Sequence, residues 1–225
     1  MTKKVSSPDP RQVVSIWPTA LAAGLLTTAM LAAGFLAPTE ATMGHAQRIL
    51  YLHVPVAWAS LLCMVIMAGT GLLYLLRRNL AWDHWSRASS ELGWLVCSLT
   101  LLSGSLWARA AWGTWWTWEP RLTTAFILWA IYSGYLIVRS SLDDRHHAAR
   151  LGAVLAIIGA ADLPMVVMAT RWFRGIHPAS PEMNPTMRIL LLANVAVFSA
   201  LIVWLLVQRR AQLRMEMQLT SRDSR

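Results

Sequence analysis

The sequence predicts an all-α membrane protein of six transmembrane helices, with a tryptophan-rich extracytoplasmic loop between helices 3 and 4. Three observations predict it. Six apolar windows fall at residues 16–37, 54–76, 91–110, 122–139, 151–170 and 187–207, each near the roughly 20 residues that a helix needs to cross a bilayer. Charged residues make up only 14% of the chain and hydrophobic ones 56%, whereas soluble domains carry roughly 25% charged. The lysines and arginines sit between the apolar windows and in the tails, as membrane topology requires.

Each span has its own signature. The first follows Lys3 and Lys4, and its apolar part, from about Val13 to Ala37, exceeds the 7–15 residues of a signal-peptide core, so it is expected to remain as a span. The second follows Tyr51-Leu-His-Val-Pro55, where a proline suits the first turn of a helix because its missing N–H would be unpaired there. The third and fourth close on Arg109 and Arg121, and the tryptophan segment between them is either loop or itself helical. Glu91 is expected at the start of the third helix, where an acid favours the dipole. The fifth carries Asp162-Leu-Pro164; an ionised carboxylate at that depth costs at least ~2.5 kcal/mol, so it is expected to face the bundle. The sixth is expected to continue as helix into the Arg-, Gln- and Met-rich tail before fraying. No repeat or linker divides the chain, so residues 1–225 form a single polytopic domain.

An even number of spans puts both tails on one side. That side collects Lys3, Lys4, Arg11, Arg77, Arg78, Arg87, Arg139, Arg145, Arg150 and the arginines after 207, fourteen cations in all, against six on the other face, Arg48, Arg109, Arg121, Arg171, Arg174 and Arg188. The positive-inside rule places both tails in the cytoplasm and the tryptophan loop outside. The net charge of +9 is therefore a matter of topology and not a sign of nucleic-acid binding. Cys63 and Cys97 lie inside apolar windows without Cys-x-x-Cys spacing and read as buried apolar residues.

Five of the thirteen tryptophans fall between Trp107 and Trp118. That exceeds what interfacial anchoring needs, and the indole faces of Trp112, Trp115, Trp116 and Trp118 form a shelf for a planar ring such as haem. Of the six histidines, His84, His146 and His147 are expected as solvated cytoplasmic loop residues, and His45, His53 and His177 share the outer face with the tryptophans. His53, held at a helix N-terminus, is favoured in the neutral form that a metal requires, and Pro178 restrains the backbone beside His177. From two loops these imidazoles could approach a haem iron on its two faces, or each could simply bond to headgroups and water. His45 ranks third. Arg48 and Arg121 suit haem propionates in forked geometry, or equally phospholipid headgroups. Glu119 either orients Arg121 or a histidine, or pairs with Arg109.

Trp112-Gly-Thr-Trp-Trp-Thr-Trp-Glu-Pro-Arg-Leu-Thr123 resembles the WGxxWxWDxRLT signature of haem-handling membrane proteins. With Arg48-Ile-Leu-Tyr-Leu-His-Val-Pro55, Asp162-Leu-Pro164 and the Trp172 to His177 region, the chain resembles, from about residue 15 to 207, the haem exporter protein C family of the system I cytochrome c maturation pathway. Two departures stand out: Glu119 replaces the family's usual aspartate, and the surroundings of His177 lack the second Trp and the Gln more often found there.

The resemblance implies haem b held between His53 and His177 at the periplasmic face of a bacterial inner membrane, against the tryptophan loop. It implies presentation of that haem to a membrane-anchored periplasmic haem chaperone, which bonds a vinyl group through its own histidine. The implied partners are the ATPase and permease subunits of an ATP-binding-cassette complex and a small single-span subunit. The chain has no Walker sequence, so ATP hydrolysis would belong to a partner and this subunit would not be an enzyme. A b-type cytochrome exchanging electrons with quinone is the alternative, although it would need histidines facing one another inside spans. A solute permease would need more ionisable groups at depth than Asp162.

Overall fold

The computed structural model describes residues 16–173, 175, 177 and 183–223. Among them are six helices long and apolar enough to cross a membrane: α1 (Ile16–Leu36), α2 (Leu50–Arg77), α3 (Leu80–Trp112), α4 (Pro120–Ser140), α5 (Arg145–Trp172) and α6 (Pro185–Asp223). A 3-10 turn, His45–Ile49, runs directly into α2.

Local chemistry sets the helix ends. The Asn79 side chain accepts the Ala81 N–H at 2.9 Å and so caps α3, and Asn184 does the same for α6 through the Met187 N–H, also at 2.9 Å. The Asp144 carboxylate caps α5 by accepting the His147 N–H. Such caps satisfy amide groups that have no partner inside the helix. α3 stops at Gly113, whose φ of 75° is cheap only without a Cβ. Pro120 opens α4.

Three helix starts lie four or more residues ahead of the apolar windows, and α5 already begins at Arg145 rather than 151. α3 begins at Leu80 rather than near 91, because its polar first turns are satisfied by neighbouring helices. Arg139 of α4 donates two bonds to Asp83, at 2.7 and 3.0 Å, and Ser86 donates to the Met67 carbonyl of α2 at 3.3 Å. Glu91 therefore lies well inside α3, bonded to Arg87 and to Arg209 of α6. α2 likewise begins at Leu50, so Pro55 sits in its second turn and not its first, and leaves the Tyr51 carbonyl without its helical donor. His84, His146 and His147 are helical residues and not loop residues, and His146 Nδ1 lies 3.0 Å from the Tyr74 hydroxyl. The extension of the last helix is found: α6 has 39 residues, about 58 Å at 1.5 Å per residue, where the hydrocarbon core is about 30 Å.

α2, α3, α4 and α5 close into a four-helix ring; α6 lies along α2 and α3, and α1 leans chiefly on α6. The ring closes tightly because small residues face aromatic ones. Gly93 lies flush against the ring of Tyr132, whose hydroxyl donates to the Ser60 carbonyl at 2.8 Å. A Cβ at Gly152 would stand 2.7 Å from the Tyr135 ring. α3 and α4 are tied reciprocally: Trp94 donates to Ser133 at 3.0 Å and Trp129 to Ser98 at 2.8 Å. Cys63 and Cys97 are buried free thiols. Asp162 is half-buried in α5, with Oδ2 inside and unbonded among the described residues.

Candidate functional site

The tryptophan segment is helix to Trp112 and then crosses from α3 to α4 as an open strap. Gly113 turns the chain. The Arg109 guanidinium bonds the Gly113 carbonyl and lies 5.9 Å from the Trp115 ring centre. Thr114 Oγ1 donates to the Trp116 carbonyl at 3.1 Å. These contacts divide the indoles between two sides. Trp107, Trp112 and Trp116 line an interior cavity, whereas Trp115 and Trp118 do not. Trp118 is 71% exposed and packs edge-on against Phe126 of α4 at 6.0 Å.

The cavity lies among α2, α3, α4 and α5, about 760 Å³ with its open mouth included, and its lining is mainly apolar and aromatic, as in ligand sites generally. His53 and His177 both border it, and Trp107 neighbours each of them. Its ring centre is 5.9 Å from His53 and 5.8 Å from His177, edge to face. Trp112 lies 5.0 Å from Trp107 and 6.3 Å from His177.

His53 belongs to helix α2 and not to a loop, and α3 provides its seat. Nδ1 lies 3.0 Å from Ser103 Oγ. That hydroxyl also lies 2.6 Å from the Leu99 carbonyl and 3.3 Å from that of Thr100, either of which accepts its proton; with the proton there, Oγ accepts from the imidazole and Nδ1 is the protonated nitrogen. Nε2 then keeps its lone pair, the arrangement a metal-binding histidine needs. Beside Ser103, Gly104 makes room: a Cβ there would meet His53 Cε1 at 2.9 Å.

Arg121, in the first turn of α4, borders the same cavity. Glu119 occupies the N-cap position of α4 and, with Arg121 and His177, lines a smaller recess. A Cβ at Gly175 would collide with its carboxylate, so Glu119 packs against the segment that carries His177. Arg48 lies elsewhere: it reaches the Ala37 carbonyl at the end of α1, at 3.5 Å, and borders none of these spaces. His45 is also outside them. Arg174 and Pro178, which flank His177 in sequence, lie outside the described residues.

Buried donors give the cavity its remaining chemistry. The indole N–H groups of Trp107 and Trp116 are buried without a hydrogen-bond partner among the described residues. Orphaned donors of this kind cost about 1–3 kcal/mol each unless a ligand accepts from them. A flat apolar molecule bearing an acceptor or anionic edge and a metal centre fits this donor set: indole faces for the plane, imidazole for the metal, Arg121 and indole N–H groups for the edge.

Sequence reasoning did not single out Ser103, Gly104 or Trp107 as site residues. The first two are an ordinary small pair in a span, and only the facing imidazole gives them meaning. Trp107 was visible as the first of the five clustered tryptophans, but nothing in the sequence distinguished inward from outward indoles.

The comparisons with known proteins agree with one another. The family model described as Heme exporter protein C matches residues 8–225. Heme exporter protein C of Bradyrhizobium diazoefficiens is 37% identical over 159 residues, 68% of this chain and 60% of the relative. The Paracoccus denitrificans protein of the same name is 31% identical over 207 residues, 88% of this chain and 86% of the relative. A mitochondrial cytochrome c biosynthesis protein of Marchantia polymorpha is 32% identical over 146 residues, 65% of this chain and 61% of the relative. The chain thus spans about three fifths of the first and third of these relatives.

Proposed function

Because the chain belongs to the Heme exporter protein C family, we propose that it holds haem for delivery to cytochrome c maturation, as a binding and transfer subunit and not an enzyme. Haem is the cargo. His53 and His177 serve as the axial ligands, Trp107, Trp112 and Trp116 lie against the ring, and Arg121 pairs with a propionate. In this reading the tryptophan loop faces the periplasm across a bacterial inner membrane, both tails are cytoplasmic, and the haem is b-type. A membrane-anchored haem chaperone receives it there, while ATPase and permease subunits and a small single-span subunit complete the assembly and supply the work of ATP hydrolysis.

One observation carries the reading: two imidazoles from separate elements meet the same buried tryptophan on the wall of one aromatic cavity. Each residue has a derived task. Ser103 holds the His53 tautomer that presents Nε2, Gly104 leaves the ring room, and Glu119 braces the segment bearing His177. Bound haem supplies the iron that the imidazoles ligate. The protein orients that haem, shields one side and leaves the loop side approachable for transfer.

The test is an absorption spectrum of the purified protein together with cytochrome c assembly in cells. His53→Ala and His177→Ala should each lose bound haem and assembly while protein abundance stays near normal, and added imidazole should restore part of both. If both variants hold haem and assemble cytochrome c at the parental rate, the axial-ligand reading fails. Reversible electron exchange with quinol in the same preparation would favour a b-type cytochrome instead.

A further inference from the structure

The interior cavity does not end at the two imidazoles. A second, wider space continues from it, about 1370 Å³ with its open side included, and His53, Trp107, Arg121, Val166 and His177 border both. Its floor is a stripe of α2, Val54, Ala57, Trp58 and Leu61, at positions i, i+3, i+4 and i+7 of one helical face. Its sides are Val167 of α5 and Leu191 of α6, with Arg188 in the first turns of α6.

The space exists because of how the helices pack. α5 and α6 each lean on α2 and α3 but share no packed interface, so α2 is exposed between them. Trp58 is 47% exposed and Val167 44%, so the cleft opens sideways from the bundle. For a chain of six membrane spans, sideways means hydrocarbon.

We propose that this cleft is a lateral portal, through which haem passes edgewise between the bilayer and the His53–His177 site. The inference rests on the haem-holding function proposed above and adds the route. An aqueous path would be lined by polar or ionisable groups throughout, whereas between Arg188 at the rim and Arg121 and the imidazoles inside, these walls are Val, Ala, Leu, Met and Trp, which admit a flat apolar ring. Arg188 offers a guanidinium to a carboxylate at the rim, and Arg121 offers the next one inside. A propionate edge can therefore move from one cation to the other while the ring stays in apolar surroundings.

The test reconstitutes the full chain in phospholipid vesicles, adds haem through the lipid phase, and follows the haem absorption band that depends on His53. Val167→Trp fills the cleft from a half-exposed position, Val167→Phe fills it less, and Ile158→Trp places the same indole on the opposite face of α5, where Ile158 is 52% exposed. The expected result is uptake slowed about tenfold in Val167→Trp, equivalent to about 1.4 kcal/mol on the barrier. Slowing should be smaller in Val167→Phe and absent in Ile158→Trp, with the final band unchanged in all three. Uptake by Val167→Trp at the parental rate, or equal slowing by Ile158→Trp, overturns the portal while the haem reading stands. No His53-dependent band in the parental protein overturns both.

Discussion

His53 Nδ1 and Ser103 Oγ lie 3.0 Å apart across the α2–α3 interface, and the Ser103 proton is already committed to Leu99. In that arrangement the imidazole carries its hydrogen on Nδ1. Ser103→Ala should leave the protein folded and His53 in place but free to rotate and change tautomer. Losses of such supporting bonds weaken metal sites about 10–100-fold. Haem titration of the purified variant should show that weakening, milder than His53→Ala, with a shifted reduction potential for the haem that remains.

Gly104→Ala tests the other half of the seat. Alanine is the better helix former by about 1 kcal/mol, so thermal stability should hold or rise. The new methyl, 2.9 Å from His53 Cε1, should push the imidazole off the cavity wall. Loss of haem with undiminished thermal stability in detergent is the expected outcome.

The tryptophans should separate into two groups. Trp107→Phe and Trp116→Phe remove buried indole N–H groups from the cavity and should reduce haem retention, Trp107 the more because it touches both histidines. Trp118→Phe and Trp115→Phe alter indoles outside the cavity and should retain haem near the parental level. Their defect, if measured as transfer to a haem chaperone, should exceed any defect in binding.

Arg121 should distinguish forked geometry from charge alone. A guanidinium holds a carboxylate through two parallel bonds, which an ammonium cannot do. Haem affinity should fall in the order parental, Arg121→Lys, Arg121→Gln, with the lysine variant closer to glutamine than to arginine. Equal affinity in all three would move the propionate contact to Arg188 or Arg109.

The buried Asp83–Arg139 pair, at the end of the bundle opposite the tryptophan loop, predicts a purely structural phenotype. Removing one partner strands the other charge, a loss of about 3–5 kcal/mol. Arg139→Met should lower thermal stability markedly, and Asp83→Asn combined with Arg139→Met should recover part of it. The haem spectrum of the folded fraction should be unchanged.

The six helices were legible because each carries enough apolar length to announce itself, and the pairing of His53 with His177 was legible because both lie beside the tryptophan segment in topology. The start of α3 was not. Asp83 and Ser86 look like loop residues, and Glu91 like a helix start, until Arg139, Met67 and Arg209 are seen to satisfy them, and those partners lie 19 to 118 residues away. Arg48 illustrates the converse. Its position before α2 suggested a propionate partner, yet the side chain turns toward the end of α1, a choice made by tertiary packing alone.

The crossed pair of bonds from Trp94 to Ser133 and from Trp129 to Ser98 has a consequence for the strap that joins the same two helices. Sliding α4 along α3 by one turn, about 5.4 Å, would strand both indole N–H groups in hydrocarbon, where an unmatched donor costs several kcal/mol. The pair is thus a ratchet pawl set at one notch. Trp112 and Arg121, at the two ends of the strap, keep a constant difference in height, and the mouth of the site holds its gauge while the rest of the bundle flexes.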